Sequence, residues 1–315
     1  MKRLFLCVAL LIALPGLWNT GRANAASKPG QQASAPQTPP SATTGAPGYV
    51  GSDTCITCHA EVGKSFANNP HSKLALMHSG KGITCESCHG PGQAHVEGGG
   101  DITKIFLPSK ASAKETVATC LGCHAGVHPN FERSPHGKAG LSCTTCHSVH
   151  ASQTQESLLK LPQPTLCFSC HADVKPAFSQ AFHHRVNEGL MKCSDCHDVH
   201  GTFQSNNLKS TADQNLICTK CHSETAGPFA YEHPVVKTEG CLSCHSPHGS
   251  PNPRMLNVSN VNTLCLQCHS ETNLSAFPHS VSPTGPAHNQ AAQYVSCTMC
   301  HTQIHGSNAS AIYFK

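Results

Sequence analysis

Residues 120–150 read CLGCHAGVHPNFERSPHGKAGLSCTTCHSVH, and this stretch decides the fold. It holds two C-x-x-C-H units, one starting at Cys120 and one at Cys143. His136 stands between them, and His150 follows the second unit by three residues. Two thiols separated by two residues can reach one edge of a single macrocycle, and the adjacent His then falls beneath the ring. The pattern is the attachment signature of a c-type haem, with that His as the proximal iron ligand.

The same unit recurs along the whole chain. The cysteine pairs are Cys55 and Cys58, Cys85 and Cys88, Cys120 and Cys123, Cys143 and Cys146, and Cys167 and Cys170. They continue with Cys193 and Cys196, Cys218 and Cys221, Cys241 and Cys244, Cys265 and Cys268, and Cys297 and Cys300. Of 21 cysteines, only Cys7 lies outside a unit. Other readings of C-x-x-C fail on this regularity. A zinc ribbon joins two pairs in one site and has no rule placing His after each. A disulfide framework would not repeat one gap ten times. Redox C-x-x-C motifs occur singly in a βαβ context.

The composition agrees. The 315 residues are 38% hydrophobic, a count that includes 21 cysteines, 5% aromatic and 12% charged, against about 25% charged in average domains. Large side chains are too few for an ordinary core, so ten covalent haems are expected to be the core. The expected fold class is a multihaem cytochrome c: haem-cored, mostly irregular, with short α-helices ending in the motifs, little or no β, and an elongated form. The formal charge of +4 comes without a Lys/Arg block, which excludes a nucleic-acid footprint.

The histidines supply the iron chemistry. Ten of the 24 are proximal: His59, His89, His124, His147, His171, His197, His222, His245, His269 and His301. Beyond Met1 there are four Met (Met77, Met191, Met255, Met299), too few to serve as the general sixth ligand, so bis-His ligation is expected. The motifs pair into five repeats, each with a mid-repeat His and a trailing His. The mid-repeat residues are His71, His136, His184, His233 and His279, and the trailing residues are His95, His150, His200, His248 and His305. A trailing His cannot fold back onto its own iron, so it is expected to serve a neighbouring haem. His78 competes with His71, His183 with His184, and His288 with His279, while His128 is surplus.

The first 25 residues read as a cleaved signal peptide, with Lys2 and Arg3, an apolar run from Leu4 to Leu14 and Ala23-Asn24-Ala25. Residues 26–48 are a Pro/Ser/Gly-rich disordered linker. The haem domain spans 49–315, with repeats near 49–110, 111–160, 161–212, 213–259 and 260–315. No later stretch is apolar enough to span a bilayer.

A six-coordinate iron has no open position for substrate, so outer-sphere electron transfer by haem-to-haem hopping is expected rather than catalysis. Two alternatives stay open: a soluble periplasmic electron carrier docking to a reductase, and a multihaem reductase with one open haem.

The residues also resemble the MtrA/DmsE/PioA family of periplasmic decahaem cytochromes. The resemblance runs from about Gly48 to the C-terminus. It rests on Tyr49-Val-Gly-Ser-Asp-Thr-Cys55, Cys85-Glu-Ser-Cys-His-Gly-Pro-Gly92 with His95, the H-x-V-x-x-G segment before Cys193, and His305-Gly-Ser-Asn308. It implies an electron conduit housed by an outer-membrane β-barrel porin. Electrons would pass between a periplasmic or inner-membrane quinol-oxidising cytochrome and an outer-surface cytochrome or reductase.

Overall fold

The computed structural model describes residues 47–77, 83–152, 157–209, 213, 215–269 and 297–314. The signal peptide, nearly all of the linker, and His78, His279 and His288 lie outside the described residues.

Some helices start at a cap or a proline, and several end in or consist of a motif. Helices α1 (Ser52–Cys58), α2 (Ala60–Ala67) and α3 (Pro70–Met77) run from the first motif past His71. Helix α4 (Cys85–His89) is the second motif itself, and α5 (Gln93–Glu97) holds His95. Helix α6 (Ala113–His124) is 12 residues long and ends in the third motif. A capping box starts it: Ser112 Oγ accepts from Glu115 N at 3.2 Å, and the Glu115 carboxylate accepts from Ser112 N at 2.9 Å. Helix α7 (Pro135–Lys138) carries His136 and is capped by Ser134, with Pro135 in its first turn.

From there the helices shrink to single turns. They are α8 (Cys143–Cys146), α9 (Thr165–Phe168), α10 (Cys193–Cys196), α11 (Asn215–Thr219), α12 (Pro234–Thr238) and α13 (Val261–Leu266). The motifs at Cys241 and Cys297 begin in 3-10 turns. Strand β1 (Tyr231–Glu232) pairs antiparallel with β2 (Gly306–Ser307), Tyr231 opposite Ser307. Isolated helices below about 12–15 residues are marginal in water, so these must be held by what they pack against.

Side chains do not supply that packing. Among the described residues, the buried apolar side chains are Val117, Phe131, Phe178 and Val186. The interior is instead a continuous cavity of about 4390 Å³ whose wall includes His71 and Phe314. Seventeen of the motif cysteines line it, from Cys88 to Cys300. A single small-molecule site occupies about 300–1,000 Å³, so this volume suits several large groups.

One loop recurs behind the second motif of the second, third and fourth repeats. After the motif, the chain turns back and forms a bridge: His147 with Leu159, His197 with Leu208, His245 with Leu256. Each return places non-glycine residues in the left-handed region: Leu158 (φ 51°), Asn206 (54°) and Asn207 (52°), Arg254 (58°) and Met255 (55°). Such conformations persist only where surrounding structure fixes them. Here they aim a carbonyl at the proximal histidine. Among the described residues, no helix is long and apolar enough to cross a membrane.

Candidate haem-binding sites

Each proximal histidine of a second motif has one ring nitrogen fixed by the chain that follows it. Nδ1 donates to a backbone carbonyl: His89 to Phe106 (2.8 Å), His147 to Ser157 (2.7 Å), His197 to Asn206 (2.8 Å), His245 to Arg254 (2.9 Å) and His301 to Ile312 (2.5 Å). Several non-motif histidines are held alike. Nδ1 of His95 donates to Asp101 O (2.9 Å), that of His136 to Val199 O (3.0 Å), and that of His184 to Pro247 O (2.6 Å). Holding the proton on Nδ1 leaves Nε2 as the free lone pair, which is how proteins orient metal-binding imidazoles.

The rings then meet in facing pairs. His59 lies 6.3 Å from His95, His124 5.9 Å from His71, and His89 5.9 Å from His150, centroid to centroid. His171 lies 6.0 Å from His136, His147 5.9 Å from His200, and His222 6.3 Å from His184. His197 lies 6.1 Å from His248, His269 6.1 Å from His233, and His245 6.1 Å from His305. Two imidazoles bonded to one metal at about 2 Å each, with half a ring added on either side, sit about 6 Å apart. The structure thus brings together nine of the ten proximal histidines with a mid-repeat or trailing histidine. For His301, the sequence candidates His279 and His288 both lie outside the described residues.

The pairing follows a rule. Eight of the nine pairs join successive repeats, and they do so reciprocally. One repeat lends its mid-repeat His to the first motif of the next, and receives the trailing His of that next repeat at its own second motif. A hydrogen bond ties each exchange together. His136 and His184 donate to the carbonyls of Val199 and Pro247, which immediately precede the trailing His200 and His248. His233 makes the same backbone bond to Ile304, ahead of His305. In the first exchange Asn69 intervenes: its Oδ1 accepts from His71 Nδ1 (3.0 Å) while its Nδ2 donates to Val149 O, ahead of His150. The ninth pair, His59 with His95, closes within the first repeat.

Burial lowers the pKa of His71, His150, His200, His233, His248 and His305. His200 falls to about 4, with nearby His128 and His147 adding to the effect of burial. Depression keeps these rings neutral, the form that binds metal. Next to His184, the His183 ring has both nitrogens engaged, with the Gln180 carbonyl (2.6 Å) and the Glu188 carboxylate (2.9 Å). The His128 ring lies 3.9 Å from His200, tilted by 34°, and stacks with His124 at 6.2 Å.

The cysteine sulfurs stand where the thioether bonds of c-type haems would form. They form a continuous order. Within repeats, the sulfurs of the first cysteines are adjacent: Cys55 with Cys85, Cys120 with Cys143, Cys167 with Cys193, Cys218 with Cys241, and Cys265 with Cys297. Between repeats, second cysteines are neighbours: Cys88 with Cys123, Cys146 with Cys170, Cys196 with Cys221, and Cys244 with Cys268. Successive motifs therefore follow one another in space in chain order.

Sequence reasoning missed the residues that join the two motifs of a repeat. Ser52, Asn215 and Asn262 each stand three places before a first-motif cysteine. They accept the backbone N–H of the partner motif's first cysteine: Cys85 (3.3 Å), Cys241 (2.9 Å) and Cys297 (2.8 Å). A recurrent polar residue at that offset was the available signal. Paired cysteines, facing imidazoles and a large shared cavity all fit c-type haem. Among the described residues, no cluster of three or more His, Cys, Asp or Glu could hold a metal ion by itself.

Comparison with known proteins agrees. The doubled CXXCH motif family matches residues 136–176, 183–227 and 233–274, and the family of cytochrome c554 and c-prime matches residues 17–90. The chain is 33% identical to the multiheme cytochrome MtrA of Shewanella baltica (strain OS185) over 285 residues, covering 82% of this chain and 79% of that one. It is 24% identical over 220 residues to the C-type polyheme cytochrome OmcB of Geobacter sulfurreducens, covering 61% of this chain and 27% of OmcB. It is 26% identical over 102 residues to the cytochrome c-type protein NrfB of Escherichia coli O6:H1, covering 31% of this chain and 53% of NrfB. The C-x-x-C-H motifs bind c-type haem covalently, and the chain belongs to the MtrA family of multihaem c-type cytochromes.

Proposed function

We propose that this chain carries ten bis-His c-type haems and works as the electron wire of an outer-membrane porin–cytochrome conduit in the periplasm. One observation carries the ligation: nine facing histidine pairs at 5.9–6.3 Å. His279 is proposed for the tenth iron, at His301. When bound, the haems supply reversible one-electron iron couples between which electrons hop. The chain's own residues orient the imidazoles, fill the sixth position against substrate, and place successive attachment points beside one another. The chain is accordingly proposed to be an electron carrier and not an enzyme.

The conduit role rests on the MtrA relationship and on a physical need. A haem-filled irregular chain cannot satisfy its backbone in lipid, so it needs a protein sheath to cross a bilayer. The proposed partners are a β-barrel porin, an outer-surface cytochrome or reductase, and a quinol-oxidising cytochrome that supplies or takes electrons on the periplasmic side. Residues 1–25 would serve as the export signal. The test is reconstitution of the holoprotein with its porin in liposomes holding an internal redox dye. Electron flow across the wall only with both components supports the conduit. No flow, with rapid exchange to a soluble reductase, assigns the carrier role instead. Small-angle scattering gives a second check. A compact globule of about 290 residues has a radius of gyration near 19 Å, and a wire matched to a bilayer of about 40–45 Å exceeds it.

A further inference from the structure

The Cys85-Glu-Ser-Cys-His-Gly-Pro-Gly92 block contains a carboxylate that haem attachment does not use. Glu86 lies between the two cysteines of the second motif, is only 4% exposed, and accepts three backbone N–H bonds. Its Oε1 accepts from Val50 N and Gly92 N, and its Oε2 from Gly51 N, each at 2.9 Å. The corresponding residues of the other second motifs are Thr144, Ser194, Leu242 and Thr298, none of them charged.

The three donors sit at two helix starts. Gly51 precedes α1, which carries Cys55 and Cys58 and leads into His59. Gly92 precedes α5, which carries His95. Neither glycine has a side chain to cap its helix, and the Glu86 carboxylate takes the orphan N–H groups instead. Space there is already closed: a Cβ on Gly92 would stand 3.2 Å from Glu86 Oε1 and 3.3 Å from Val50 Cγ2. One side chain, itself on α4, therefore fixes both helices whose histidines face each other at 6.3 Å.

The first site needs such a clamp. Among the described residues, the other eight pairs of a proximal with a mid-repeat or trailing histidine join two repeats, and three of these exchanges carry a direct hydrogen bond from the mid-repeat His to the carbonyl ahead of the next trailing His. His59 and His95 belong to one repeat and have no such bond from a neighbour. We infer that Glu86 is a positioning residue for the terminal haem site, setting the separation of His59 and His95. The inference rests on the bis-His reading of that site.

The test compares oxidised wild-type holoprotein with Glu86→Ala, Glu86→Gln and His95→Ala by low-temperature EPR and magnetic circular dichroism. The expected wild-type spectrum is low-spin throughout. Glu86→Ala should add a high-spin signal worth one haem, and free imidazole should convert it back to low-spin. Glu86→Gln, which keeps one acceptor oxygen, should show a smaller share of the same signal. The double variant Glu86→Ala/His95→Ala should still show one haem's worth. If Glu86→Ala does not mature, Glu86→Gln decides by the same criterion. Variants that stay low-spin beside a low-spin wild type overturn the role of Glu86. Two haems' worth of high-spin signal in the double variant also overturns it. A high-spin signal in the wild type overturns the bis-His reading itself.

Discussion

The first haem site and the internal sites reach the same geometry by different means. Internally, closure comes from the neighbour: His136 faces His171 while His200 faces His147, and His136 bonds the carbonyl next to His200. The first site is closed from within its own repeat. There the trailing His95 turns to His59, and a buried carboxylate draws the two helices together. The difference teaches that most of the array is held by exchange, and that the first site is closed by local chemistry. It also means that damage should spread differently from the two regions.

The largest contrast is expected on deleting an attachment site. Removing an internal haem with Cys143→Ala/Cys146→Ala takes packing from His200, from Cys120 and from the return loop at Leu158. Ordering the backbone costs about 1–2 kcal/mol per residue, and these segments have little else to offset it. Intact-mass spectrometry should show the loss of at least one haem, and limited proteolysis should cut throughout residues 120–200. The same change at Cys55 and Cys58 should open cleavage only before residue 100. Equal cleavage patterns would erase the contrast.

Ligand removal should show the same asymmetry at smaller amplitude. His136→Ala deletes the ring facing His171 and the bond that steadies His200, so its high-spin signal should exceed one haem. His95→Ala should give one haem and no more. Both are read by EPR on oxidised protein.

Asn69→Ala sharpens the comparison at the boundary between the first two repeats. Asn69 is 5% exposed and does through its side chain what a direct His–carbonyl bond does further along. Leaving the Val149 carbonyl without its donor should cost about 1–3 kcal/mol, measured as a lower denaturation midpoint with all haems retained. The smallest effect belongs to Lys64→Met. The Lys64–Glu61 pair on α2 is solvent-exposed, and exposed pairs contribute about 0–1 kcal/mol, so the midpoint should not move measurably.

Much of this was legible from the chain alone. Ten identical motifs and a shortage of large apolar residues pointed to a cofactor core, short helices and little strand, and α8, α10 and the two-residue strands show that character. His150, His200, His248 and His305 each lie opposite a proximal histidine of the preceding repeat. What could not be read was who pairs with whom. His197 and His248 meet through the path of the loops between them, which no local pattern encodes. The carbonyls of Val149, Val199, Pro247 and Ile304 are backbone atoms and carry no residue signature. Glu86 was visible only as part of a recognisable block, because its partners are backbone N–H groups, two of them 35 and 36 residues back in the chain.

The central claim is that every iron is held between two imidazoles, supplied across repeat boundaries or closed at the ends. Near-infrared magnetic circular dichroism of the oxidised wild-type holoprotein, quantified per haem, tests it most directly. The account predicts only the bis-His charge-transfer band, with an intensity matching all ten haems. A His–Met band, or a high-spin component of one haem or more, would contradict it.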